Sequence, residues 1–191
     1  KIIYLCKKLN LNIIPTVYQG RYNPLRRECE IELLPCLKHF NIEFYGYSPL
    51  ARGLMVGKYN YNDAFTGNIA DGKFTYKGLK KNLHFVDYWK KCYFDGIDII
   101  KNAINKYDDK LTLIEATYSW LVNHSMLDGN KGDGIIFGCS KIYHIQSNIN
   151  LIKNAKILHP NIVSAFDDAW HIARQGMIPY FRSYETVRHA I

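Results

Sequence analysis

The sequence predicts an α/β fold on a parallel sheet, and two observations carry that prediction. Three short runs, Ile13 to Tyr18, Ile42 to Tyr47 and Ile135 to Phe137, are apolar with little alternation. Strands covered on both faces read this way. Around them lie segments whose apolar residues recur every three or four positions, as one face of a helix requires. Strands that alternate with helices form β-α units and pair in parallel.

Taken in order, Ile2 to Leu9 reads as the end of a helix, broken by Asn10 to Asn12 before the first strand. Asn23 reads as an N-cap with Pro24 at the first helical position. That helix should run to about Phe40, with Ile31, Leu34 and Leu37 on one face and a kink at Pro35. Asn41 ends it and the second strand follows. Ser48-Pro49 stops this strand, because proline has no N–H to donate and the residue before it avoids the helical region.

The stretch after Pro49 has small residues at Ala51, Gly53 and Gly57 and cations at Arg52 and Lys58. Such a loop brings backbone N–H groups close to an anion and adds positive charge around it. An ordinary strand-turn-helix connection has the same composition. Tyr47 ends the strand on its carboxyl side, where α/β folds place ligands.

Residues 59–92 form a mixed connection whose length is that of a functional lid or a disordered segment. Phe94 to Lys106 is helical with Ile97, Ile100 and Ile104 inward, and Thr112 to Asn123 carries the stripe Leu113, Thr117, Trp120 and Leu121. Asp128-Gly129 and Gly132-Asp133-Gly134 are turns before the third strand. Ser140 caps a helix bearing Ile142, Ile145, Ile149 and Ile152. A last helix, Ile162 to Arg174, should bury Phe166, Ala169, Trp170 and Ala173, and the tail after Gly176 reads as extended.

The chain has 191 residues, 48% of them hydrophobic and 22% charged, within reach of one domain. No apolar run approaches the roughly 20 residues that span a bilayer, and no secretory signal opens the chain. Lys1 in place of methionine suggests a fragment or a processed product. Five cysteines without a Cys-x-x-Cys pair read as reduced, mostly buried thiols in a cytoplasmic protein. The formal charge of +8 is dispersed over doublets such as Lys7-Lys8 and Arg26-Arg27, which argues against nucleic acid and for solvated helix faces. The seven histidines show no metal-ligand spacing, and neither a P-loop nor a Rossmann glycine pattern occurs.

Five segments carry a resemblance. They are Pro15-Thr16-Val17-Tyr18-Gln19-Gly20, the run from Tyr47 to Tyr59, Tyr88-Trp89-Lys90, Gly138-Cys139-Ser140, and Pro179-Tyr180-Phe181-Arg182. In order and spacing the chain resembles aldo-keto reductases of the aflatoxin-aldehyde and succinic-semialdehyde reductase subgroup. The resemblance covers nearly the whole chain but only the second half of that family's barrel. It implies the C-terminal part of a (β/α)8 barrel: about three parallel strands with helices and a C-terminal helix, a single unit over residues 1–191 with 59–92 as a lid. A closed barrel of this kind needs eight strands.

The resemblance also implies a site for NADP(H). Gln19 would meet the nicotinamide carboxamide, and Tyr47 would stack on the ring as a rigid aromatic plate. Ser48, Pro49, Leu50, Arg52, Gly53 and Lys58 would wrap the pyrophosphate. The family usually has Gly-Gly where this chain has Arg52-Gly53, so charge is gained and close backbone approach restricted. Lys73 stands at a lid arginine, as a point charge in place of a planar fork. Ser140 and Lys141 would hold the 2′-phosphate, with His144 and Asn148 near adenine. Arg182 matches an arginine that grips a substrate carboxylate, while a second such arginine is Asp87 here, which puts short acidic aldehydes in doubt. The tyrosine, aspartate, lysine and histidine of the family's reaction match no segment, so no catalytic residue is assigned.

Two readings stay open on sequence alone. One is the C-terminal portion of an NADPH-dependent aldehyde reductase that needs a missing N-terminal half. The other is a non-catalytic half-barrel, a nucleotide-binding or homo-oligomeric module. Neither calls for a membrane.

Overall fold

The computed structural model describes residues 1–75 and 79–177. Three parallel strands, β1 (Val17–Arg21), β2 (Glu43–Tyr47) and β3 (Gly134–Ile136), form one sheet in the order β1-β2-β3. The register aligns Arg21 with Tyr47 and Tyr47 with Ile136. Connections between neighbouring parallel strands must cross over a face, and the helices do so. They are α1 (Ile2–Lys8), α2 (Leu33–His39), α3 (Asp63–Thr66), α4 (Leu79–Tyr88), α5 (Lys91–Tyr107), α6 (Leu113–Asn123), α7 (Ile142–Lys153) and α8 (Pro160–Ala173).

One sheet face packs on the helices. Phe44 is buried there, with Tyr18 stacked at 6.1 Å and Tyr22 edge-on at 6.0 Å, and Tyr22 reaches Trp120 of α6. Trp120 in turn stacks on Phe166 of α8 at 5.6 Å. Helices α5 and α8 approach closely because Gly96 has no side chain, and a Cβ there would stand 2.9 Å from the Ala169 carbonyl. The other sheet face carries Gln19, Arg21, Glu43, Tyr45 and Tyr47, none of them fully buried.

The structure corrects several expected boundaries. The first strand begins at Val17, not Ile13, and ends at Arg21, so Gln19 is mid-strand. A strand's limits are those of its partner, and β2 pairs in register with Val17 to Arg21. The long helix expected from Asn23 to Phe40 is instead a turn at Asn23–Arg26, a short 3-10 segment at Glu28–Glu30, and α2. Asn23 and Arg26 exchange backbone hydrogen bonds across that turn. Pro35 lies in the first turn of α2, where a missing N–H costs nothing, so no kink arises.

Ser140 does not cap α7; the N-cap is Lys141, without a side-chain cap bond. Ile142, Ile145 and Ile149 of α7 are exposed, at 76%, 41% and 41%. Among the cysteines only Cys29 is buried and Cys36 is exposed, and all five are free. The expected inward faces of α5, α6 and α8 hold, and the structure adds a Thr112/Glu115 capping box that opens α6. Residues 59–92 hold α3, a 3-10 turn at Lys73–Thr75, and α4. An aromatic cluster pins them: Phe74 meets Trp89 at 4.9 Å, and Trp89 meets Phe94 of α5 at 5.1 Å. Among the described residues no helix is long and apolar enough to cross a membrane.

Candidate functional site

The carboxyl ends of the three strands lie side by side, and the loops leaving β2 and β3 start from that common edge. The loop after β2 has an unusual backbone. Ser48, Ala51 and Arg52 adopt left-handed φ of 59°, 47° and 56°, and Gly53 and Gly57 have φ of 104° and 82°. Left-handed residues with side chains are uncommon and cost of order 1–3 kcal/mol each, so they persist where the surroundings over-determine them. Here Ala51, Leu54 and Met55 are buried and hold the loop from beneath. Ala51, Arg52 and Gly53 are left-handed in succession, and the loop closes on itself: the Ala51 N–H donates to the Ser48 carbonyl at 3.0 Å and the Gly53 N–H to the Leu50 carbonyl at 2.7 Å. On this loop the Arg52 Nε is shielded from solvent without a hydrogen-bond partner.

Asn23 ties this loop to its neighbours. It is fully buried, and its amide donates to the Ser48 carbonyl at 3.0 Å and to the Tyr88 hydroxyl at 3.1 Å. The Leu25 N–H donates back to Asn23 Oδ1 at 3.1 Å. A sequence reading as a helix cap captures the short polar side chain but not these partners, 25 and 65 residues away.

Beside Tyr47 stands Arg21, the last residue of β1. Its guanidinium donates to Asp87 of α4 at 3.2 Å and lies 5.6 Å from the centre of the Tyr88 ring. Burial opposes the Arg21 charge, but Tyr88, Asp87 and the Tyr47 hydroxyl around it more than offset this, and its pKa is raised above the usual guanidinium value. Tyr88 is wholly buried, and burial raises its phenol pKa. Nearby Arg26 pairs with Glu28 at 2.6 Å, both shielded from water. Away from this edge, burial pushes the Cys29 thiol up to about 12, so it stays protonated at neutral pH.

The remaining expected residues form two groups. Lys58 donates to the Asp71 carbonyl, and Lys73 follows two residues later on the 3-10 turn, so the segment after Gly57 folds back on the loop. Ser140 and Lys141 are exposed at the start of α7, with the Lys141 ammonium 5.6 Å from the Tyr143 ring. His144 is exposed beside Tyr143 at 4.2 Å. Asn148 is buried, and its amide donates to Cys139 Sγ at 3.2 Å, so that donor is taken within the protein. Gln19 is exposed, level with Tyr45 and two residues short of the edge. Arg182 lies outside the described residues. No group of three or more metal-ligating side chains occurs among the described residues.

A parallel sheet whose connections are helices, with loops leaving its carboxyl edge, defines a class: α/β proteins built of β-α units. The chain belongs to the aldo/keto reductase family, whose model matches residues 2–170. It is 38% identical to human "Aldo-keto reductase family 7 member A3" over 187 residues, covering 95% of this chain and 54% of that protein. It is 36% identical to "Aflatoxin B1 aldehyde reductase member 2" of Rattus norvegicus, covering 94% of this chain and 49% of that one. Among solved structures, the holo form of aldo-keto reductase AKR11C1 from Bacillus halodurans matches 88% of this chain and 46% of its own, with TM-score 0.52 and 16% identity. The chain therefore spans about half the length of these relatives. Its three strands and helices are part of the family's (β/α)8 barrel.

Proposed function

We propose that this chain is the C-terminal, cofactor-carrying portion of an NADPH-dependent aldehyde or ketone reductase of the cytoplasm. The observation that carries the proposal is the Ser48–Lys58 loop, whose left-handed backbone and two cations sit at the carboxyl end of β2. Relatives named as aldehyde reductases support the reaction class.

The residues fit a phosphate-bearing cofactor. The loop supplies the charges of Arg52 and Lys58 and an unpartnered Arg52 Nε, suited to a pyrophosphate. The start of α7 supplies backbone N–H groups without a side-chain cap, the Ser140 hydroxyl and the Lys141 ammonium, suited to a 2′-phosphate. When bound, NADPH supplies the hydride for carbonyl reduction. Tyr47 acts as the plate for the ring, Lys58 adds charge from the loop, Lys73 closes from the segment 59–92, which serves as a lid, and Gln19 and His144 flank the two ends. Asn148 shapes the adenine end through Cys139. Arg182 is proposed as a substrate contact. The proton donor and its partners are proposed to lie outside this chain.

Calorimetric titration tests this. NADPH should bind at least tenfold more tightly than NADH, since hydrogen bonds to charged groups contribute about 1.5–3 kcal/mol each. Lys141→Ala should narrow the preference. Equal affinities, or no binding of either, overturn the assignment.

A further inference from the structure

We infer that Arg21 and Asp87 set the substrate class of this site: they form a shielded, charge-neutral pair beside Tyr47, so the site takes uncharged carbonyl compounds and turns away carboxylate-bearing ones. The inference rests on the reductase reading above.

Position comes first. Arg21 is the last residue of β1, in register with Tyr47 at the carboxyl edge of the sheet. Its side chain shares a sheet face with those of Gln19, Tyr45 and Tyr47, because strand side chains alternate. Asp87 reaches the same place from α4, 66 residues on. The two side chains are 12% and 7% exposed, so water screens the pair little.

Charge comes next. By resemblance, an arginine is expected where Asp87 stands. Here the anion occupies the helix position and the cation stands across from it on the strand. A ligand carboxylate needs a cation with no competing anion beside it. At Arg21 it would meet a guanidinium already paired with Asp87 at 3.2 Å and walled on another side by the Tyr88 ring at 5.6 Å. The result would be two carboxylates sharing one guanidinium in a shielded site, which is unfavourable. A neutral carbonyl compound adds no charge and meets the Tyr47 hydroxyl and the pair without that penalty.

Binding to the protein loaded with NADP+ tests this without turnover. The probes are 4-nitrobenzaldehyde and 4-carboxybenzaldehyde, similar in shape and different in charge, titrated by calorimetry. The wild-type protein should bind the nitro compound at least tenfold more tightly. In Asp87→Asn the freed guanidinium should reverse the preference to at least tenfold for the carboxylate. Arg21→Met added to Asp87→Asn should abolish that gain. A purely structural pair would lower both affinities together and leave their ratio unchanged, which overturns the inference.

The exchange Arg21→Asp with Asp87→Arg keeps a neutral pair and should keep the wild-type ratio. It decides the matter should Asp87→Asn fail to fold, because a carboxylate preference in the exchanged protein overturns the inference. A wild-type protein that binds NADP+ but prefers the carboxylate, or binds both aldehydes equally, also overturns it while leaving the reductase reading intact. Absence of NADP+ binding overturns both.

Discussion

At the scale of single residues, the feature that most separates this chain from an ordinary α/β connection is the backbone at Ser48, Ala51 and Arg52. Glycine would adopt these angles freely, and the family's usual Gly-Gly in place of Arg52-Gly53 would relieve one of them. Arg52→Gly removes a left-handed side chain worth about 1–3 kcal/mol of strain. Against that stands the looser unfolded chain, about 0.4–1 kcal/mol. The expected net gain is about 1 kcal/mol, or about 2–4 °C in Tm for a protein of this size. The same variant loses the Arg52 guanidinium and should bind NADPH more weakly. Differential scanning calorimetry checks the stability, and a lowered Tm would mean that the Arg52 side chain anchors the loop instead of straining it.

At the scale of elements, the joint between α6 and α8 shows how a turn is locked by one titratable group. His124 is the C-cap residue of α6, and its Nε2 accepts a hydrogen bond from the Leu158 N–H at 3.0 Å. Only the neutral ring can accept there. Burial lowers the His124 pKa below the ordinary 6.5. The sign follows directly. The unfolded chain takes up its proton first as pH falls, so the contribution of His124 is fully present above about 6.5 and is lost as pH falls through the lower folded value. Urea midpoints should therefore drop between pH 7.5 and pH 5.5. The drop should shrink in His124→Gln, which cannot titrate. An unchanged drop in the variant would assign the pH dependence to other groups. The apolar stripes of α5, α6 and α8 are local patterns and were legible in the sequence. The α2 region was not, because Asn23 and Pro24 resemble a helix start as well as the turn they form.

At the scale of the molecule, the described sheet has two edge strands, β1 and β3. Apolar side chains lie open along and around it: Val17 at 42%, Tyr18 at 37% and Ile14 at 47%, with Ile142 at 76% on α7. Edges with unpaired backbone groups and apolar flanks invite pairing. The 191-residue chain is expected to self-associate at micromolar concentration, or to combine with a complementary half-barrel. Light scattering checks this, and Val17→Lys with Tyr18→Lys should shift the population toward monomer. A monodisperse wild-type monomer with a cooperative thermal transition above about 45 °C would show that the three-strand unit closes its own core.

The sequence by itself determined the class of fold, the presence of three strands, the inward faces of α5, α6 and α8, and the break in structure after Tyr47. Each of these is written in neighbouring residues, through periodicity, turn chemistry or a contiguous motif. Only the tertiary structure decided where β1 starts and stops, since a strand's limits are those of its partner. It alone turned Asn23 from a helix cap into the tie between Ser48 and Tyr88. It also turned Asp87 from a lone repulsive charge into the partner of Arg21. These contacts join residues 25 to 66 positions apart. No local pattern encodes such a pairing, because it depends on which side chains the packed strands and helices bring within a few ångströms of one another.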